Sequence, residues 1–277
     1  MATEETPVVF IKPSRGWVLP QMRDVWAYRE LLYFLVWRDL KVRYKQTVLG
    51  ALWAVIKPFS MMVIFSIFFG NFAKIPSEGI PYPIFAYAAL LPWSYFAQSL
   101  NACSNSIVGN SHLITKVYFP RLIIPISSIL SGLVDFAISF SVLLAMMFYY
   151  QIIPTLLSLL LPLLILMAMA TALGAGLWLS ALNVQYRDIR FTLSFLVQFW
   201  FFATPVVYPS RLVPERWRFI YSLNPMVGVV EGFRGVLLGK GQLDWPMVIV
   251  SIIVIASFVI TGSYYFRRME KGFADVM

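Results

Sequence analysis

The sequence predicts an all-α integral membrane protein with six transmembrane helices, an N-terminal amphipathic interface helix, and re-entrant or gate helices between spans five and six. Of its 277 residues, 60% are hydrophobic and only 13% are charged, whereas soluble domains carry about 25% charged residues. The mean hydropathy is +0.75. The apolar runs have helical length and lack the alternating ten-residue pattern of an outer-membrane barrel. These three observations together indicate a helical membrane protein.

Charge and reactive side chains argue against several other classes. The net charge is +9, but the basic residues cluster beside apolar runs, which is typical of the positive-inside rule rather than of a nucleic-acid surface. The single Cys103 and single His112 argue against a disulfide framework, a Cys/His zinc site and a Cys–His nucleophile pair. The N-terminus has no apolar signal-peptide core, so we expect the first span to act as the membrane signal.

The N-terminal region divides into a cytoplasmic tail, residues 1–27, and an amphipathic interface helix, residues 28–47. Apolar residues recur at intervals of three and four from Tyr28 to Tyr44, which predicts one apolar helix face. Arg38, Lys41 and Lys45 form a basic stripe on another face. This pattern predicts a helix lying in the plane of the membrane interface. The alternative is a solvated basic face that only fixes the topology.

Residues 48–277 form the predicted six-span transmembrane domain. The spans cover about 49–72, 83–103, 122–150, 154–182, 191–207 and 245–266. Span three would be about 43 Å long, so it must tilt or protrude from a hydrocarbon core of about 30 Å. Span four carries two series of small residues that would allow close approach of other helices. These series are Ala168/Ala172/Gly176 and Ala170/Gly174.

The segment 209–240, between spans five and six, is apolar enough to suggest a seventh span. Glu231 and Arg234 would then lie near its middle, at a cost of about 2.5 kcal/mol or more each before pairing. With six spans and both termini cytoplasmic, 16 of the 22 Lys and Arg residues lie on the inner side and 6 on the outer side. We therefore predict a re-entrant or surface-lying helical pair on the outer side.

Catalytic signals are weak in this chain. Gly235 and Gly239 precede Lys240, but a phosphate-binding loop needs its glycines five apart. The sequence thus predicts no ATP site, no metal site and no other cofactor in this chain. Asp135 is the only acid deep in a predicted span, and intramembrane acids are functional candidates. Alternatively, it is a structural carboxyl group bonded to Ser131, Ser139 or another helix. Proton coupling is disfavoured, because no second buried titratable group accompanies it.

Aromatic side chains recur at helical spacing in spans one, two and five. Such stripes usually pack between helices or contact lipid. The functional alternative is an aromatic channel lining, because flat apolar rings suit the C–H faces of sugars. The candidate channel residues are Phe65, Phe69, Phe72, Tyr82, Phe85, Trp93, Phe195, Phe199 and Phe202.

Several motifs, in order, carry a resemblance to a known family. They are WRDLKVRYKQTVLGALWAVIKP, LLPWSYFAQSL, NSHLITKVYFPRLIIP, SGLVDF, LNVQYRDIRF, TPVVYP and LNPMVGVVEGFRGVLLG. From about residue 25 to the C-terminus, the chain resembles the membrane subunit of bacterial polysaccharide ABC exporters of the second type, which include O-antigen, capsule and teichoic acid export permeases. The resemblance implies a homodimer with two copies of a separate ABC ATPase that binds ATP and Mg. It also implies export of a lipid-linked, undecaprenyl-type glycan, foremost lipopolysaccharide O-antigen, across the bacterial inner membrane.

The same resemblance implies roles for individual segments. The interface helix would dock on the ATPase through Arg38, Lys41, Tyr44 and Lys45. The loop 105–120, with His112 and Lys116, would be a coupling helix. Glu231 and Arg234 would belong to the outer gate, and the aromatic residues named above would line the conduit.

Two rival functions stay open at this stage. A membrane enzyme acting on lipid-linked sugars would need carboxylates or a metal site at an aqueous face, and few acids are near one. Those acids are Asp188, Glu215, Glu231 and Asp244. An exporter of small lipophilic drugs is the other rival. The sequence also leaves open whether the glycan belongs to lipopolysaccharide, capsule or teichoic acid, and whether the ATPase carries a carbohydrate-binding module.

Overall fold

The computed structural model describes residues 22–45, 50–186, 188–239 and 244–273, and helices, turns and loops make up these ranges without any strand. The prediction of an all-helical membrane protein is confirmed. The helices are α1 (Met22–Ala27), α2 (Arg29–Lys45), α3 (Leu52–Phe65), α4 (Tyr82–Gly109), α5 (Ser111–Lys116), α6 (Ile123–Tyr149), α7 (Leu161–Gln185), α8 (Ile189–Phe202), α9 (Glu215–Ser222), α10 (Pro225–Leu238) and α11 (Trp245–Glu270). Most of the predicted tail (1–21) and the link from α2 to span one (46–49) lie outside the described residues.

Within these ranges, four helical segments are long and apolar enough to cross a membrane. They are Leu52–Phe72, Ile123–Tyr149, Leu156–Gln185 and Trp245–Glu270. The first extends α3 through a π-helical stretch, and the third begins with a 3₁₀ turn before α7. Predicted spans two and five coincide with α4, which is long but less apolar, and with α8, which is apolar but has only 14 residues. The count of six spans stays a prediction.

Helix α4 lies at the centre of the molecule, in contact with α3, α6, α7 and α10. Three buried tyrosines donate hydrogen bonds to backbone carbonyl groups of neighbouring segments. Tyr82 reaches Val207 O at 2.7 Å, Tyr87 reaches Ser139 O at 3.1 Å, and Tyr95 reaches Ile129 O at 3.2 Å. Because these hydroxyl groups are satisfied inside the protein, α4 can be both fairly polar and deeply buried.

Helix α7 packs between α4 and α11, and its small residues permit this close approach. A Cβ atom on Gly176 would lie 2.5 Å from Cys103 Sγ of α4. A Cβ atom on Gly174 would lie 2.6 Å from the carbonyl carbon of Phe258 in α11. The two predicted series of small residues therefore contact two different neighbours, α4 and α11.

A second apolar cluster closes one end of the molecule. It joins Leu35 of α2, Ile107 at the end of α4, Ile114 of α5, Phe266 near the end of α11 and Phe273 just after that helix. Because α4 and α11 both finish at this end, they begin at the opposite one, where α9 and α10 lie. The α2–α5 elements and the predicted gate segment are thus at opposite ends of the helical bundle.

Candidate functional site

A buried polar cluster surrounds Asp135 of α6, whose side chain is 10% exposed. Arg43 Nη1 and Tyr44 OH, both from α2, donate hydrogen bonds to its two carboxylate oxygens. Gln98 Nε2 of α4 donates a third hydrogen bond, at 2.6 Å. We call these four residues the Asp135 cluster. It connects the interface helix to the centres of two helices of the bundle.

The Asp135 carboxyl group is paired with one cation and two uncharged donors. The Arg43 guanidinium supplies a charge-assisted hydrogen bond, which offsets the cost of removing Asp135 from water. Burial and, next, the hydrogen bond to Asp135 raise the pKa of the Tyr44 phenol. Tyr44 therefore remains a hydrogen-bond donor at neutral pH.

The structure also resolves the two serines proposed as partners of Asp135. Ser131 Oγ donates to Ser128 O at 2.9 Å, and Ser139 Oγ donates to Ala54 O at 2.7 Å. Ser131 Oγ also accepts a hydrogen bond from Arg43 Nη2 at 3.5 Å, and Ser139 Oγ also donates to the backbone carbonyl of Asp135 at 3.0 Å. The Asp135 carboxylate itself is bonded to other helices, as the structural alternative allowed.

Helix α2 makes a second set of side-chain hydrogen bonds nearer its middle. Arg38 Nη2 donates to Asn110 Oδ1 at 2.8 Å and to the neighbouring Asp39 Oδ1, also at 2.8 Å. Asn110 is the residue between α4 and α5. A movement of α2 would therefore reach α4, α5 and α6 through side-chain contacts.

The residues predicted to contact an ATPase divide into two groups. Lys41, Lys45, His112 and Lys116 are exposed at the α2–α5 end of the molecule. Arg38 is half-buried against Asn110, and Tyr44 points inward to Asp135. The structure thus leaves four of the six side chains accessible to a partner.

A cavity of about 640 Å³ lies between α3, α4, α6 and α8. One part of its wall is polar, with Lys57, Gln98, Asp135 and Gln198, and the remainder is rich in aromatic rings. A second cavity, of about 530 Å³, shares Lys57, Gln98 and Asp135 and adds Arg43 of α2. The two cavities therefore lie next to each other, and the second extends towards α2.

The predicted channel residues are distributed over three environments. Phe65, Trp93 and Phe202 line the larger cavity. Phe69 packs partly buried on the core, and Tyr82 and Phe85 are buried. Phe72, Phe195 and Phe199 are each more than 60% exposed.

Sequence reasoning missed Phe201, Gln98 and Gln198 as cavity-lining residues. Glutamine inside a span was the available signal for two of them, because polar side chains in membrane helices usually face the protein interior.

The two predicted gate residues form a compact network on α10. Arg234 is 5% exposed, and its guanidinium donates to Val206 O, to Tyr208 O at 3.2 Å and to Phe85 O at 3.3 Å. It also contacts Glu231 Oε1 at 3.3 Å and stacks 3.8 Å from the centre of the Phe85 ring. This network joins α10 to α4 and to the segment after α8.

The structure is a helical membrane bundle with a large cavity between its helices and a charged N-terminal helix packed against it, an arrangement that a membrane permease requires. The chain belongs to the ABC-2 type transporter family, whose model matches residues 30–238. It is 32% identical to the O-antigen export system permease protein RfbA of Myxococcus xanthus over 257 residues, 92% of this chain and 98% of that protein. It is 29% identical to a protein of the same name from Klebsiella pneumoniae, over 90% of this chain and 95% of that one.

A more distant similarity extends to the polysialic acid transport protein KpsM of Escherichia coli. The identity is 25% over 202 residues, 70% of this chain and 76% of that protein. Members of this family are multi-pass permease subunits of ABC transporters, not enzymes, and their ATPase is a separate subunit. The prediction that this chain is a transport permease is confirmed.

Proposed function

We propose that this chain is the permease subunit of an ATP-driven exporter that moves a lipid-linked O-antigen polysaccharide across the bacterial inner membrane. The observation that carries this proposal is the near full-length similarity to O-antigen export permeases. The match to the polysialic acid transporter covers less of both chains. O-antigen is therefore favoured over capsule as the exported glycan.

The ring-lined cavity supports a polysaccharide substrate. Aromatic faces contact the C–H faces of sugars, and Gln98 and Gln198 at the polar wall can exchange hydrogen bonds with hydroxyl groups. A polymer must leave each position that it occupies, which favours many weak contacts over one tight site. In this proposal, the two neighbouring cavities belong to the conduit, and the drug-export alternative is disfavoured.

The exposed face of α8 supports a homodimer. Phe195 and Phe199 are 72% and 68% exposed, and α8 has few contacts with the rest of the protein. In the proposed dimer this face meets the second permease, and the exposed rings of both copies complete the conduit wall. Two copies of the ATPase would then bind the inner side, where both termini of the permease lie.

The hydrogen bonds between α2 and the helical bundle support a role for α2 in energy coupling. The ATPase would contact the exposed cations of α2 and α5, and the Asp135 cluster and Asn110 would pass movement of α2 to α4 and α6. A rigid helix joined to the spans can transmit a movement of the ATPase to the bundle and so open the conduit.

The proposal is tested with the permease, its ATPase and lipid-linked polysaccharide in sealed proteoliposomes. We expect ATP-dependent transfer of polysaccharide to the far side. Changing both Lys41 and Lys45 to Gln should weaken co-purification of the ATPase, whereas Lys74→Gln, an exposed change in the loop between α3 and α4 at the opposite end, should have no effect. ATP hydrolysis without transfer of polysaccharide by the wild-type complex would contradict the proposed function.

A further inference from the structure

A polar pocket of about 340 Å³ lies between α10, the start of α11 and the loop before α4. Its volume is at the lower end of the range of about 300–1,000 Å³ typical of small-molecule sites. Three carboxylate groups, three guanidinium groups and one indole ring contribute to its wall. They belong to Glu78, Glu231, Asp244, Arg211, Arg218, Arg234 and Trp245. We call it the α10–α11 pocket, and it is separate from the ring-lined cavity.

One wall of the pocket is held rigidly. Glu231 Oε1 accepts a hydrogen bond from Ser210 N at 2.9 Å and another from Arg234 Nη1 at 3.3 Å. Arg234 is itself fixed by backbone carbonyl groups on three sides. The carboxylate of Glu231 is therefore positioned before any ligand arrives, which reduces the entropy lost on binding.

A second wall is positioned by an unusual backbone conformation. Glu78 has a φ of +56°, a left-handed conformation that costs a non-glycine residue about 1 kcal/mol or more. Its Oε1 pairs with Arg211 Nε at 3.3 Å. Such strain is often found at functional sites, and here the strained residue lies in the pocket wall.

The pocket also contains an unused donor and an accessible ring. Arg218 Nε is buried and has no hydrogen-bond partner within the described ranges. Buried donors are nearly always paired, so this guanidinium has unused hydrogen-bonding capacity beside the pocket that Arg218 lines. Trp245, at the first turn of α11, is 54% exposed and offers a ring face.

We infer that the α10–α11 pocket binds a saccharide unit of the exported polysaccharide. Sugar hydroxyl groups both donate and accept hydrogen bonds, which matches a wall that alternates carboxylates with guanidinium groups. The three carboxylates and three guanidinium groups leave the pocket wall without net charge. An uncharged polar ligand therefore fits better than an anion or a metal cation. Trp245 would contact a sugar C–H face.

This inference rests on the proposed export of a polysaccharide and adds a site to it. The pocket lies at the end of the bundle opposite α2, which is the outer side in the proposed topology. It would hold the glycan after the chain has passed the ring-lined cavity and so oppose backward movement.

The test measures binding of lipid-free polysaccharide to the purified permease–ATPase complex in lipid nanodiscs. The probe is polysaccharide released from the producing cells by mild acid, cut to short fragments and labelled with a fluorophore at its reducing end. Fluorescence polarisation gives the Kd. We expect Trp245→Ala and Arg218→Gln each to raise the Kd at least tenfold.

Two matched variants on α9 act as controls. Trp217 is 50% exposed, and neither Trp217 nor Arg216 lines the pocket. Trp217→Ala and Arg216→Gln should therefore leave the Kd unchanged. Trp245→Phe, which keeps a ring, should recover part of the affinity, and this recovery would separate loss of a contact from loss of folding.

Equal binding by the pocket variants and the α9 variants would overturn the pocket assignment. ATP-driven export by the same wild-type preparation would in that case still uphold the proposed function. A wild-type complex that neither exports nor binds the polysaccharide would contradict both.

Discussion

At the residue scale, two buried charged groups, Asp135 and Arg234, differ in the kind of group to which each is hydrogen-bonded. Asp135 is bonded by side chains of two other helices, Arg43 and Tyr44 from α2 and Gln98 from α4. Arg234 is bonded mainly by backbone carbonyl groups. The first arrangement links elements that could move relative to each other, whereas the second fixes the local chain path. Their substitutions should therefore have different consequences.

For the Asp135 cluster, we expect that reversing the charge of one residue abolishes export and that reversing the charge of its ion-pair partner as well restores part of it. Asp135→Arg alone places two guanidinium groups together and should abolish export, and Arg43→Asp alone should do the same. The double variant restores an ion pair and should recover part of the export in proteoliposomes. Ser141→Ala is the control, because Ser141 lies on the same helix and its exposed hydroxyl group donates to the backbone carbonyl of Ile138. A double variant no better than either single one would contradict a direct coupling.

For Arg234, we expect Arg234→Gln to destabilise the permease by about 2–3 kcal/mol, because several backbone carbonyl groups would lose a charged donor. The midpoint of thermal unfolding of the purified complex should fall as a result of this loss of stability. Arg216→Gln, on the exposed helix α9, should change the unfolding free energy by less than about 0.5 kcal/mol. Similar midpoints for the two variants would show that the Arg234 network contributes little to stability.

At the scale of elements, the packing of α7 depends on the absence of side chains at particular positions. A Cβ atom on Gly262 would lie 2.3 Å from Gly174 O, so α7 and α11 approach each other through two glycines. Such close contacts let membrane helices associate by van der Waals packing without a hydrophobic driving force. The sequence pattern identified the small residues of α7, but not that α11 supplies a matching glycine.

We therefore expect Gly174→Ala to separate α7 from α11 and to lower the thermal unfolding midpoint. The obstructing atoms belong to the backbone of Phe258 and Val259, which cannot rotate away. Gly109→Ala is the matched control, since a Cβ atom there would meet nothing within 4 Å. An unfolding midpoint for Gly174→Ala equal to that of Gly109→Ala would contradict the packing argument.

At the scale of the whole molecule, the distribution of exposed rings lets the proposed dimer contact be tested. Helix α8 exposes Phe195 and Phe199, and it lies beside the cavity that the proposed conduit uses. In the proposed dimer, a second permease on this side would separate that cavity from the lipid. We therefore predict that the transport path is complete only in a dimer.

We expect a Phe199→Cys variant to form a cross-linked permease dimer in membranes treated with a short bifunctional thiol reagent. The native Cys103 is fully buried and should not react. Ile253→Cys is the control, because Ile253 is 63% exposed but lies on α11. Cross-linking at position 253 and its absence at position 199 would place the dimer contact elsewhere.

The sequence alone determined the fold class, because apolar runs of helical length satisfy their backbone hydrogen bonds in a bilayer by forming helices. It also singled out Asp135, Glu231 and Arg234 as costly residues that require partners. Only the tertiary structure decided what those partners are. Helical spacing identifies a face of a helix, but the neighbour that this face meets depends on contacts between residues far apart in the chain. Arg43 and Asp135 are separated by 92 positions, and no local pattern connects them.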